Sequence, residues 1–146
     1  MSTANKVLIH RWHEEVWNRK RPEAVFEMLH PDALLFGLSV LPAPPLRGPE
    51  SFLPFWERLV RAFPDIHVSV ESTMAEDDKV AARCSVRGRH LGPGPIMEIA
   101  PTMKPVTFSG VCMVHVKDGR IHEAWNNFDF LALYQQIGLI KLHLPA

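Results

Sequence analysis

The stretch VTFSGVCMVHVKDGRIHEAWNNFDFLALYQQIG, residues 106–138, predicts a strand, a tight turn, a second strand and a helix. Asp118-Gly119 is a strong hairpin signal, because it separates two runs rich in β-branched and aromatic residues. Side chains alternate along a strand, so each strand has an inner face whose polar members we expect to meet a ligand. The residues predicted on that face include Phe108, Gly110, Cys112, His122, Asn126 and Phe128.

The composition is that of one globular domain, which we assign to residues 1–146. The 16 basic residues balance 16 acidic ones, which gives no electrostatic reason to expect nucleic acid or an anionic membrane as a partner. No apolar run approaches the ~20 residues of a membrane span, and the N-terminus lacks the pattern of a signal peptide. Cys84 and Cys112 lie on apolar strand faces, which predicts buried thiols in a reducing compartment, by default the cytoplasm.

Helical patterns precede most of the strand patterns along the chain. The helices predicted from apolar residues at helical spacing are residues 4–19, 22–29 and 49–63. The strands predicted before the hairpin are residues 33–38, 66–71 and 79–91. This order is typical of an α+β fold in which helices pack on one face of a curved antiparallel sheet.

His90 is the most informative single polar residue, because the alternation places it on the apolar face of its strand. A polar group there must be hydrogen-bonded or must face a cavity, so His90 is either a pocket residue or a satisfied core histidine. Asn126 and Cys112 can hydrogen-bond a ligand, although neither is a ready acid or base at neutral pH. The alternative for Asn126 is a buried amide whose hydrogen bonds go to the backbone. Asp129 immediately precedes the final helix, where aspartate is a favoured N-cap, so capping is favoured over catalysis.

Motifs for metals and cofactors do not stand out in this sequence. His10 and His13 lie three residues apart and could share a helix face, but no third ligand follows at metal-site spacing. The sequence has no glycine-rich dinucleotide motif, phosphate-binding loop or nucleophile elbow. We therefore expect neither a metal nor a cofactor.

Several short motifs together resemble the SnoaL-like polyketide cyclase family, within the nuclear transport factor 2-like superfamily. The matching pieces are His30-Pro31-Asp32, Phe63-Pro64-Asp65, DDKVAARCSVRGRHLG, Pro101-Thr102, Phe108-Ser109-Gly110 and DGRIHEAWNNFDFLALYQQIG. The resemblance implies a cone-shaped α+β barrel, in which three N-terminal helices and a short C-terminal helix close a curved antiparallel sheet around a hydrophobic cavity. It also implies a homodimer, and ring closure of a polyketide by an intramolecular aldol reaction without metal or cofactor.

The resemblance carries two catalytic positions onto residues that differ from those of the family. The family's aspartate on the last strand falls on Asn126, and its histidine on the preceding strand falls on Cys112. His30 and His90 match neighbouring family positions. Asparagine cannot shuttle a proton as a carboxylate does, so the cyclase mechanism does not carry over intact.

Two functional hypotheses follow from these residues. The first is a cofactor-free cyclase or isomerase for a small hydrophobic carbonyl compound, with His90 as proton carrier and Asn126 as a neutral donor to a developing enolate. The second is a non-catalytic small-molecule binding protein that has lost the acid/base pair. Epoxide hydrolysis is disfavoured, because it needs paired carboxylates with an arginine inside the cavity. The residues predicted to contact the small molecule are Trp12, His30, Phe108, Gly110, Cys112 and Phe128.

Overall fold

The computed structural model describes residues 2–39 and 42–145, which form the predicted α+β combination of helices and one sheet. The helices are α1 (Ser2–Arg11), continued by a π-helical segment (Trp12–Asn18), then α2 (Pro22–Met28), α3 (Gly48–Ala62) and α4 (Phe130–Gln136). The strands are β1 (Leu29–Phe36), β2 (Leu46–Arg47), β3 (His67–Glu76), β4 (Lys79–Arg89), β5 (Pro105–Lys117) and β6 (Arg120–Phe128). None of the described helices is long and apolar enough to cross a membrane.

The six strands form an open sheet in the order β2-β1-β6-β5-β4-β3. Neighbouring strands are antiparallel except for β1, which runs parallel to β6 and pairs Leu35 with Ala124. The sheet is therefore mixed, whereas the sequence predicted a wholly antiparallel one. A parallel pair requires a long crossover connection, and the alternation within single strands does not reveal that pairing.

The hairpin of β5 and β6 has its predicted turn at Asp118-Gly119 and sets Cys112 directly opposite Asn126. A register shift near the turn leaves His122 as an additional residue on β6. As a result Ile121 is buried in the core. His122 does not occupy the inner position that the alternation predicted for it.

The first predicted helix, residues 4–19, is helical through most of its length but changes from an α-helix to a π-helix at Trp12. In the π-helical segment the N–H of Arg19 donates to the carbonyl of Glu14, five residues earlier. Trp12, His13 and Trp17 all belong to this segment, and all three line the cavity described below. π-helical turns inside α-helices are frequent at functional sites.

The remaining elements mostly follow the predicted pattern. α1 packs against β3 and β4, α3 against β1, and α4 against β5. Pro54 lies inside α3 without ending it. Asp129 caps α4 as predicted, because its Oδ1 accepts a hydrogen bond from the N–H of Ala132 at 3.0 Å. β1 begins at Leu29, earlier than the predicted strand 33–38, and the two-residue β2 was not predicted.

Candidate functional site

A cavity lies where the π-helical segment and α3 approach the inner faces of β5 and β6. The volume of this cavity that the centres of water molecules can occupy is about 70 Å³. This is enough for several water molecules or for one end of a small molecule. Most of its wall is aliphatic or aromatic. Among the described lining residues, the side chains with a titratable or amide group are His13, Cys112 and Asn126.

A larger and more polar vestibule adjoins this cavity, with about 540 Å³ open to the centres of water molecules. The proline-rich segment 42–46 and residues 95–96 of the loop before β5 form part of its wall. The side chains that it shares with the cavity are Leu35, Leu38, Phe55 and Leu59. Arg58 and Tyr134 also line the vestibule, and burial raises the pKa of Tyr134 to about 12, so this phenol stays neutral near pH 7.

Five of the residues predicted at the site line the cavity: Trp12, Phe108, Cys112, Asn126 and Phe128. Gly110 was predicted beside them but is not among the lining residues. A Cβ atom at residue 110 would overlap the ring of Phe128. Gly110 therefore makes room for an aromatic cavity residue and does not itself form the wall.

His90 lies outside the cavity, which corrects its predicted position among the pocket residues. It follows the end of β4 and is fully buried, and its Nδ1 accepts a hydrogen bond from the backbone N–H of Thr102 at 3.1 Å. Its Nε2 therefore carries the proton and donates to the carbonyl of Gly94 at 2.7 Å. Both ring nitrogens are thus engaged in holding the loop between β4 and β5, as expected of a satisfied core histidine.

His30 also lies away from the cavity, contrary to its predicted contact with a small molecule. Its ring stacks on His122 with 4.1 Å between centroids, and its Nδ1 accepts a hydrogen bond from the N–H of Asp32. The ring of His122 lies 6.5 Å from that of His115, whose Nε2 is 2.6 Å from a carboxylate oxygen of Asp78. These three imidazoles form a separate cluster near the β5-β6 turn.

Asn126 is held against the end of β1 by its own side chain. Its Nδ2 donates a hydrogen bond of 2.9 Å to the carbonyl of Phe36. Gly37, which follows, has φ +80°, and a Cβ atom there would collide with the backbone carbonyl of Asn126. This close approach fixes the amide in the cavity wall with one of its two Nδ2 hydrogens already used.

His13 is the site residue that the sequence analysis missed as a cavity residue. It is buried, and its Nδ1 lies 2.9 Å from the carbonyl of Ile9, which can only accept a hydrogen bond. Nδ1 therefore carries a proton, and in the neutral ring Nε2 has the free electron pair. Nε2 lies 3.7 Å from the Sγ of Cys84 and 3.9 Å from the Sγ of Cys112.

The two thiols beside His13 have opposite acidities. The hydrogen bond from Cys112 lowers the pKa of Cys84, with a further contribution from His13 and against the opposing effect of burial. The same Cys84 interaction, followed by burial, raises the pKa of Cys112. Cys84 is thus the first of the pair to ionise, and Cys112 remains a thiol facing the cavity.

The signal for His13 in the sequence was the pair His10-x-x-His13, but its partners could not be identified from spacing. Cys84 and Cys112 lie 71 and 99 residues further along the chain. Only the pairing of β4 with β5, and the packing of the first helix against β4, bring the three side chains together.

Comparison with known proteins agrees with the fold and the order of the motifs. A sequence profile described as SnoaL-like polyketide cyclase matches residues 7–137. The chain belongs to this family. The aklanonic acid methyl ester cyclase AcmA of Streptomyces galilaeus is 29% identical over 126 residues, which are 85% of this chain and 84% of AcmA.

Solved structures of similar proteins have the same SnoaL-like fold. AclR of Streptomyces galilaeus, named as a candidate hydroxylase, superposes with a TM-score of 0.83 at 25% identity, covering 97% of this chain and 89% of AclR. Wild-type IdmH of Streptomyces antibioticus, named as a candidate polyketide cyclase, gives a TM-score of 0.78 at 29% identity, covering 92% and 98%. Because these names differ in reaction, the chemistry must be argued from the cavity of this chain.

Proposed function

We propose that this SnoaL-like protein closes a ring in a small hydrophobic, polyketide-like carbonyl compound by acid/base chemistry without a cofactor. The observation that carries the proposal is His13, a buried imidazole in the cavity wall whose Nδ1–H is held by the carbonyl of Ile9. That contact supports an unprotonated Nε2 as general base. It replaces the earlier hypothesis of His90 as proton carrier, because both nitrogens of His90 are engaged elsewhere.

In the proposed reaction Nε2 of His13 takes a proton from the carbon next to a carbonyl group. The remaining Nδ2 hydrogen of Asn126 stabilises the enolate oxygen that develops. The enolate carbon attacks a second carbonyl of the same molecule, which forms the ring bond. The new alkoxide then takes the proton back from the imidazolium, so the product is an isomer of the substrate. General-base catalysis of this kind contributes about 10²–10⁴ in rate.

The sizes of the two spaces support a substrate that is only partly enclosed. The inner cavity has room for the reacting end, whereas the 540 Å³ vestibule falls within the ~300–1,000 Å³ range of ligand pockets and suits the rest of a ring system. The largely apolar wall of the inner cavity limits competing water, which strengthens the interactions of His13 and Asn126 with developing charge.

Replacing the base tests this proposal directly. We expect His13→Gln, which keeps a polar group of similar size, to lower kcat for ring closure of aklanonic acid methyl ester by at least ~100-fold. The matched control is His10→Gln, an exposed position on the same helix, which should leave the rate unchanged. Substrate and ring-closed isomer are separated by liquid chromatography, and circular dichroism checks that both variants fold.

A second candidate function, a binding protein without catalysis, is favoured by one observation. The family aspartate is replaced by Asn126, and one hydrogen of its amide is already committed to Phe36. A wild-type protein that binds the ester, read from the fluorescence of Trp12 and Trp17 in the wall, but does not convert it would support this alternative. Equal turnover by His13→Gln and wild type would contradict the base assignment.

A further inference from the structure

The side chain of His13 belongs to a compact group of nitrogen and sulfur atoms that can bind a metal ion. Its Nε2 and the Sγ atoms of Cys84 and Cys112 all lie within 4.8 Å of one another. Zinc bonds of about 2.3 Å to sulfur and 2.0–2.1 Å to nitrogen place these donors about 3.6–3.8 Å apart around one ion. The two N···S distances observed, 3.7 and 3.9 Å, are already close to that spacing.

The orientation of His13 also matches that of a metal ligand. Metal-binding histidines almost always donate the N–H of their other ring nitrogen to a carbonyl or carboxylate, which fixes the tautomer. Here Nδ1 takes that role toward the carbonyl of Ile9, and Nε2 points at the two thiols. The ring therefore needs no rotation to bind an ion.

Charge and burial decide which ion suits the group. Two thiolates and a neutral imidazole together carry a charge of −2, so a site occupied by a divalent cation would have no net charge. This matters because the three residues are almost fully buried: Cys84 is 0%, Cys112 3% and His13 4% exposed. Sulfur and imidazole donors favour zinc over magnesium or calcium, which prefer oxygen ligands.

We propose that His13, Cys84 and Cys112 form a Zn²⁺ site in the wall of the cavity. His13 and Cys112 line the cavity and Cys84 does not, so a fourth ligand, water or an oxygen of a bound molecule, enters from the cavity side. Zinc occupies the electron pair of Nε2 that the proposed ring closure uses, and the zinc-loaded protein therefore lacks that base. The two thiol protons leave when the ion binds.

Cobalt titration tests the site without any organic substrate. Metal-stripped protein, kept reduced with a phosphine, is titrated with Co²⁺ and then with Zn²⁺. We expect one equivalent of Co²⁺ to give a thiolate-to-cobalt charge-transfer band and intense visible bands of a tetrahedral ion, both abolished by Zn²⁺. The charge-transfer band distinguishes this site from the cluster of His30, His115 and His122, which contains no sulfur.

Ligand variants make the result specific to these three side chains. Cys84→Ser and His13→Gln should each weaken Co²⁺ binding by at least ~100-fold, since losing even an outer partner of a metal ligand costs 10–100-fold. His10→Gln should bind Co²⁺ as the wild type does. Cys112→Ser serves as the second thiol variant if Cys84→Ser fails to fold.

Two results would contradict the proposed zinc site. One is the absence of a charge-transfer band in the wild type, and the other is a band that remains in both Cys84→Ser and Cys112→Ser. Neither depends on turnover, so a protein that binds Co²⁺ but never closes a ring contradicts the proposed function alone. A protein that closes the ring but shows no cobalt band contradicts the metal site alone. If the proposed ring closure and the proposed zinc site are both correct, one equivalent of Zn²⁺ should abolish turnover, and removing the zinc with a chelator should restore the rate.

Discussion

Residue identity at the cavity wall separates this chain from a carboxylate-based cyclase. Asn126 occupies the position on which the resemblance places a catalytic aspartate; its amide can hydrogen-bond a ligand, but it has no acidic proton to transfer. Cys112, which pairs with Asn126 across the two strands, offers only a weak thiol donor. In the proposed reaction the base is instead His13 of the first helix, whose Nε2 lies 3.9 Å from the Sγ of Cys112. In our two proposals the same imidazole has two roles that exclude each other, as the base of the ring closure or as a ligand of zinc.

His122 is the residue at which we expect a visible effect of pH on stability. Burial, followed by the nearby imidazole of His30, lowers its pKa below 6.5 in the folded protein. The unfolded chain therefore binds the proton more readily, so the stability due to neutral His122 is present above pH ~6.5 and is lost as pH falls through the folded pKa. His122→Gln removes this dependence.

Thermal midpoints between pH 7.5 and pH 5 measure the effect. We expect the midpoint of the wild type to fall about 1–2 °C further than that of His122→Gln over this range, because partly exposed charges contribute less than ~1 kcal/mol. His143→Gln, at an exposed position, is the control, and its thermal midpoint should change with pH as that of the wild type does. Parallel curves for wild type and His122→Gln would show that the stacked pair does not titrate as described.

Among the elements, the loop between β4 and β5 shows why His90 was misread from the sequence. Alternation correctly put Val80, Ala82, Cys84 and Val86 on the buried face, and His90 continues that pattern. The pattern reports burial, but it does not tell whether a buried imidazole faces a cavity or backbone groups. The partners of His90, Gly94 and Thr102, lie in a loop whose path has no periodic signal.

The other elements were predicted correctly only where short stretches of sequence determine them. The hairpin, the cap at Asp129 and the three N-terminal helices follow from periodicity and turn chemistry, and the structure has all of them. The parallel pairing of β1 with β6 and the group of His13, Cys84 and Cys112 depend on contacts between distant parts of the chain. No single-sequence pattern specifies those contacts, which explains why the sequence did not group these three side chains.

Removing His90 should loosen the loop between β4 and β5. His90→Ala leaves the N–H of Thr102 and the carbonyl of Gly94 without their partner, at about 1–3 kcal/mol each, so we expect a loss near 3 kcal/mol. The thermal midpoint should fall by roughly 10 °C. Since Pro95 and Ile96 of this loop line the vestibule, KM should rise more than kcat falls at temperatures where the variant is folded.

The exposed His143 provides the comparison, because His143→Ala should not change the midpoint. Differential scanning calorimetry measures both variants. A His90→Ala protein that melts like the wild type but has lost all turnover would reverse the assignment and return His90 to the catalytic machinery.

For the whole molecule, the face of the sheet opposite the helices carries an apolar row that crosses five strands. Direct cross-strand partners join Met74 to Ala81, Ala81 to Met113, and Met113 to Trp125, and Trp125 pairs with Phe36 on β1. Met74 is 77% exposed and Met113 38% exposed, so the row is open to solvent within one chain. Burial of such a continuous row against a second copy would remove apolar surface from water, as in the homodimers implied by the family resemblance.

We therefore expect the wild type to sediment at twice the chain mass at micromolar concentration and Met113→Glu to sediment as a monomer. A two-fold axis near the middle of the row would bring the introduced carboxylates close together, and burying an unpaired charge costs several kcal/mol, which raises the dissociation constant at least ~100-fold. Arg120→Glu at the exposed hairpin turn places a carboxylate outside the row and should leave the dimer intact. Sedimentation velocity distinguishes the species, and a Met113→Glu protein that stays dimeric would show that the outer face of the sheet is not the contact surface.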